Sequence, residues 1–178
     1  MLRSICLTLL LVFSARAARA QDHVAPADYA VGTVRTLWQQ QSGFVTESAK
    51  DMPESKYSYR PTKAVRSFGE LIAHVAGSQY SFCAAALGDS ARAEDDIEKK
   101  KNMSKADLVA AMQASNEYCT RAYQQTDDAS TAKIQLFGQE RTRLFALMIN
   151  ATHDAEHYGN LITYLRINGM VPPSSKRQ

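Results

Sequence analysis

Two histidines stand four residues apart in the stretch Asn150-Ala151-Thr152-His153-Asp154-Ala155-Glu156-His157-Tyr158-Gly159-Asn160. On a helix that spacing places them one above the other on the same face, close enough to share an ion. Imidazole nitrogen is a borderline donor that suits zinc or nickel, and also iron. Two ligands make a weak site, because a catalytic zinc usually has three protein ligands and one open position. The chain has four histidines in all, so only His23 and His74 remain. His23 lies near the N-terminus. His74 lies beside Leu71 and Val75 in a second periodic segment, which makes it the natural third ligand. A lone histidine on such a face is often a core residue with a satisfied hydrogen bond; the nearby pair favours the ligand reading. Cys83 shares that segment but stands nine residues on, roughly 13 Å of helical rise away. No fourth ligand is evident, so one divalent ion would keep an open position for a small-molecule substrate.

Asn150, Asn160 and Tyr164 continue the histidine face and are candidates to line a cleft, with Arg143 as a weaker one. Glu156 is the candidate catalytic group. It completes His153-x-x-Glu156-His157, the H-x-x-E-H pattern of inverted zinc peptidases, in which the glutamate is the general base. That class takes its third ligand from an acid far downstream, and none of the 21 residues after His157 is Asp or Glu. Glu156 is otherwise a partner of a ligand or a surface acid.

Helices must carry these residues. Val31, Val34, Leu37, Trp38, Phe44 and Val45 recur at helical spacing and predict a first helix over about 26–49. A connector with Pro53 and Pro61 follows. Ser67 with Glu70 three residues on forms a capping box for a second helix that stops near Gly88. The polar stretch 89–102 is long enough to cross a bundle, so the second and third helices need not be antiparallel neighbours. Ser104 caps the third helix, with Leu108, Met112, Cys119 and Tyr123 on its apolar face. After an irregular connector over 127–138, the fourth helix is expected over 139–168, ended by Gly169 and Pro172-Pro173. Its apolar side reads Leu144, Leu147, Met148, Ala151, Ala155, Tyr158, Ile162 and Leu165. No strand pattern stands out. The expected fold is all-α, a four-helix bundle with a long crossover between helices two and three.

Residues 1–20 read as a cleaved secretory signal: Arg3, a short apolar run from Ile5 to Phe13, and Ala18-Arg19-Ala20 before Gln21. Residues 21–178 then form one domain in the periplasm or outside the cell. The signal holds three arginines and no acid, so 18 basic and 18 acidic residues remain. That neutral balance leaves no footprint for nucleic acid, and no membrane association is expected after cleavage. Lys99-Lys100-Lys101 follows an acidic run and reads as solvated. Cys83 and Cys119 survive cleavage as an even pair in an oxidising compartment, which invites a disulfide; two buried free thiols are the alternative. Bundles of this shape often dimerise through a helix face, so a homodimer is allowed for.

Three stretches together resemble a known family. They are Tyr57-Ser58-Tyr59-Arg60-Pro61, then Arg66-Ser67-Phe68-Gly69-Glu70-Leu71-Ile72-Ala73-His74-Val75-Ala76, then His153 through Asn160. The ending from Leu165 to Ser175 matches as well. The chain resembles the DinB/YfiT-like superfamily of proposed metalloenzymes over about residues 28–175. The resemblance implies a four-helix bundle with a crossover between helices two and three. It also implies a metal triad of one histidine from the second helix and an HxxxH pair from the fourth; by position these are His74, His153 and His157. Characterised relatives include transferases and isomerases that use low-molecular-weight thiols, with the metal holding the thiolate. Such thiols are mainly cytoplasmic, so export weakens the thiol-transfer reading; hydrolysis by metal-activated water is the alternative within the same geometry, and the residues do not choose between the two. A non-catalytic metal-binding or stress-related structural role is the remaining alternative.

Overall fold

The computed structural model describes residues 29–176. The expected export signal and His23 lie outside the described residues. The first long helix, α1, spans Tyr29–Asp51, and a single 3₁₀ turn at Glu54–Lys56 follows it. Helix α2 spans Phe68–Leu87, α3 Lys105–Ala122 and α5 Arg143–Ile167. Between α3 and α5 come a helical turn α4, Asp127–Ser130, and strands β1, Lys133–Leu136, and β2, Gln139–Thr142. Helix α6, Pro173–Lys176, ends the described chain. No helix among the described residues is long and apolar enough to cross a membrane.

The caps are the ones the sequence encodes. Ser67 accepts from the Glu70 amide while the Glu70 side chain accepts from the Ser67 amide, and Ser104 and Asp107 do the same for α3. Helix α2 stops where Gly88 takes a left-handed φ of 76°. Helix α5 stops at Gly169, where Met170 N–H donates to Leu165 and Gly169 N–H donates to Arg166, the paired bonds of a Schellman end.

Helices α2 and α3 run parallel: Gly69 abuts Leu108, Gln79 donates to Ser115 and Cys83 bonds Cys119. Parallel neighbours cannot be joined by a tight turn, which is why the polar stretch between them is long. Helix α5 runs antiparallel to α2, since Asn150 meets Cys83 while His157 meets His74. Two apolar clusters fill the bundle. Phe44, Val45, Phe68, Ile72, Leu161 and Leu165 belong to one, and Trp38, Phe82, Tyr123 and Leu147 to the other.

The fourth long helix begins at Arg143 rather than Gln139. The preceding residues pair instead as a hairpin, with Lys133 opposite Thr142 and Leu136 opposite Gln139. Phe137 and Gly138 form its two-residue turn with φ of 54° and 71°, the twist that suits a hairpin. Thr142 ends β2 and at once caps α5 by accepting from the Phe145 amide. The strands carry no alternating apolar pattern because they are short and only Leu136 is buried. Three residues expected in the core face solvent: Leu37, Met148 and Ala155. Helix α5 turns its buried stripe through Leu147, Ala151, Asp154, Tyr158 and Leu165, which moves Met148 and Ala155 outside it.

Candidate metal centre

Helix α2 supplies His74, and α5 supplies His153 and His157 one turn apart. The Nε2 atoms converge: His153 lies 3.2 Å from His74 and 3.0 Å from His157. Three tetrahedral nitrogens at zinc bonding distance would stand about 3.3–3.4 Å apart. The three nitrogens are therefore close enough to share one small ion, and these residues group as a potential metal site.

The electrostatics favour neutral rings with free lone pairs. Burial lowers the His153 pKa to about 3, helped by the neighbouring His157, His74 and Arg66. Burial likewise lowers His157 to about 4, with His74 and Arg66 adding to the effect. His74 is shifted down by burial and Arg66, against an opposing pull from Glu98. Phe82 packs its ring edge-on to His153, with centroids 5.4 Å apart.

The other ring nitrogens have different surroundings. Glu98 Oε2 lies 3.3 Å from His74 Nδ1, at ion-pair range but outside hydrogen-bond geometry. The Asn160 amide lies 3.4 Å from His157 Nδ1. The nearer atom is Nδ2, a donor; only the amide turned end for end would bring Oδ1 to the ring to accept an Nδ1 proton and leave Nε2 free. His153 Nδ1 is buried without a protein partner.

A cavity of about 650 Å³ opens beside His157. Arg66, Glu98, Glu156, Asn160 and Tyr164 supply its polar side, and Pro61, Val65 and Leu71 its apolar side. Tyr164 is itself fixed, because its hydroxyl donates to the Arg66 carbonyl at 2.6 Å. The volume suits a small molecule.

The DinB superfamily profile matches residues 38–161. The chain belongs to the DinB superfamily. Its fold is similar to a DinB-like protein of Bacillus subtilis, YjoA, at 22% identity and TM-score 0.62, covering 78% of this chain and 93% of that one. It is also similar to YfiT of Bacillus subtilis, described as a probable metal-dependent hydrolase with an unusual four-helix bundle topology. There the identity is 12% and the TM-score 0.63, over 79% of this chain and 89% of that one. A mycothiol-dependent maleylpyruvate isomerase shares 15% identity at TM-score 0.64, over 74% of this chain and 60% of that one. No curated relative matches the chain.

Of the residues proposed from sequence, Asn160 and Tyr164 line the cavity, as does the exposed Glu156. Asn150 does not. It is fully buried one turn before His153, where its amide donates to the Tyr123 hydroxyl at 3.1 Å and lies over the sulfurs of Cys83 and Cys119. Those cysteines form a disulfide that ties α2 to α3. Arg143 is also elsewhere, beside Gly88 and Gln125 at the start of α5. Sequence reasoning missed Glu98, which is hidden in an acidic run that reads as solvent-facing. It missed Arg66 too, although the residue stands directly before the Ser67 cap. Asp154 is a further surprise: it is wholly buried, neither carboxyl oxygen has a protein partner, and burial pushes its pKa well above the carboxylate range. Burial therefore favours the protonated form of this carboxyl.

Proposed function

We propose that this DinB protein is an exported metal-dependent enzyme, acting on a small molecule with one divalent ion held by His74, His153 and His157. The observation that carries the reading is the convergence of three neutral imidazoles from two helices beside an open cavity. When bound, such an ion supplies Lewis-acid character, polarising a substrate oxygen or lowering the pKa of a thiol or water. The protein's own residues then bind and orient. Asn160 lies beside the His157 ring, Arg66 and Tyr164 shape the polar wall, and Phe82 packs edge-on against His153. Glu156, exposed on the cavity rim, is available as a base within reach of solvent.

Hydrolysis is the preferred reaction class. The signal-like residues 1–20 and the Cys83–Cys119 bond both fit an oxidising compartment, where small cytoplasmic thiols are scarce. Thiol transfer is the second reading, favoured by the likeness to a mycothiol-dependent isomerase. A peptidase of the H-x-x-E-H type has less support, because the third position is filled by an imidazole from α2. Metal identity is left to zinc or nickel, with iron third. Elemental analysis of the protein purified from the periplasm tests the proposal. About one ion per chain is expected, with comparable loss in His74→Ala and His157→Ala. No ion after zinc or nickel addition would sink it.

A further inference from the structure

The crossover between α2 and α3 passes directly over the helix that carries His74. Gly77 stands three residues after His74, and a side chain there would run into the Glu94 carbonyl oxygen. Only glycine lets the crossover backbone rest on α2 at this point. Once seated, the crossover brings Ile97 into the bundle, 6% exposed, and delivers Glu98 next to the triad.

Glu98 is gripped from the other side by Arg66. Arg66 Nε donates to Oε1 at 2.7 Å and a terminal nitrogen donates to Oε2 at 3.3 Å. A two-point guanidinium contact fixes the plane of a carboxylate as well as its position. Arg66 is in turn anchored at the start of α2, where its carbonyl accepts from Tyr164. The plane so fixed leaves Oε2 3.3 Å from His74 Nδ1, while His74 Nε2 faces His153.

We infer that Glu98 is a positioning residue: its carboxylate charge, 3.3 Å from Nδ1, favours the tautomer with the His74 proton on Nδ1 and so leaves the Nε2 lone pair for the metal position. A histidine ligand has one nitrogen for the ion and one for a partner, and the partner decides which tautomer is present. Glu98 is the carboxylate that meets His74, and the helical start through Arg66 keeps it there. Residue 98 thus ties the cavity wall, the crossover and one ligand into a single unit. The inference rests on the proposed metal site, since it assigns a role toward the same ion.

The test uses the full mature chain, metal-free, titrated with zinc against a competing chelator. Glu98→Ala should bind zinc about 10–100-fold more weakly. Glu98→Gln keeps the size and one polar oxygen without the charge, so it should recover only part of that loss. Nitrogen-15 spectra of the metal-free proteins provide a second readout that a merely structural role would not move. His74 should carry its proton on Nδ1 in the unaltered chain and divide it between both nitrogens in Glu98→Ala. Equal zinc affinity within about twofold, or an unchanged tautomer in Glu98→Ala, overturns the inference against the expected range. Zinc binding by the unaltered chain with equal Glu98 variants overturns this inference alone. No zinc binding by the unaltered chain overturns the metal site as well.

Discussion

Gly77 and Glu94 touch so closely that α2 and the crossover share one surface with no side chain between them. The contact is backbone against helix, and the Ile97 amide lies close to the same point. A methyl group at residue 77 must therefore move main chain, which a rotamer change cannot relieve. Gly77→Ala should lower stability by about 1–3 kcal/mol in urea unfolding, despite the better helix propensity of alanine. The same variant should be cut sooner by trypsin at Lys99-Lys100-Lys101. A change near zero with unaltered proteolysis would mean that the crossover is not seated as described.

The disulfide between Cys83 and Cys119 closes a loop of 36 residues. By the chain-entropy argument that closure contributes about 3–4 kcal/mol. Both cysteines are fully buried, so a Cys83→Ala/Cys119→Ala double variant should unfold at lower urea by that order. The mature chain, without residues 1–20 and so without Cys6, should titrate as free of thiol when denatured without reductant. One or two reactive thiols per chain would contradict the bond.

Glu70 shows how acid should loosen the start of α2. Its pKa is held below the usual 4.5 mainly by the hydrogen bond from the Ser67 amide, with Arg60 assisting. A carboxylate with a lowered folded pKa contributes stability that is complete above its unfolded value. That contribution is lost as pH falls through the folded value. The stability gap between the unaltered protein and Glu70→Gln should thus be full at neutral pH and shrink below 4.5. Urea midpoints across that range check it. A gap that is constant with pH would show that Glu70 acts only as a neutral acceptor.

Much of this could be read in the chain because caps and helical periodicity are local. Ser67 with Glu70, Ser104 with Asp107 and Gly169 each settle a helix end through residues three or four apart. The triad was legible for the same reason: His153 and His157 are a helical pair, and the chain offers few other histidines. What escaped depends on contacts between distant segments. Glu98 reads as one acid among several until the crossover is laid on Gly77. Asn150 follows the histidine face in sequence, yet its amide packs inside the core against Tyr123 and the sulfurs of Cys83 and Cys119. The hairpin was missed because its strands bury almost nothing, so no alternation of apolar residues marks both of them.

Glu156 and Glu98 stand at different places around the three histidines. Glu98 faces His74 from the crossover, whereas Glu156 lies exposed on the cavity rim next to His157. No hydrogen bond between Glu156 and the triad is present among the described residues. Glu156→Gln should therefore retain about one ion per chain, with zinc affinity close to the unaltered value. As a general base in hydrolysis it would contribute on the order of 100-fold or more to the rate. A screen of small ester and amide substrates should then show activity in the unaltered protein and a loss of that size in Glu156→Gln. Loss of the ion instead would make Glu156 a support of the ligands, and unchanged turnover would move the base to another group on the cavity wall.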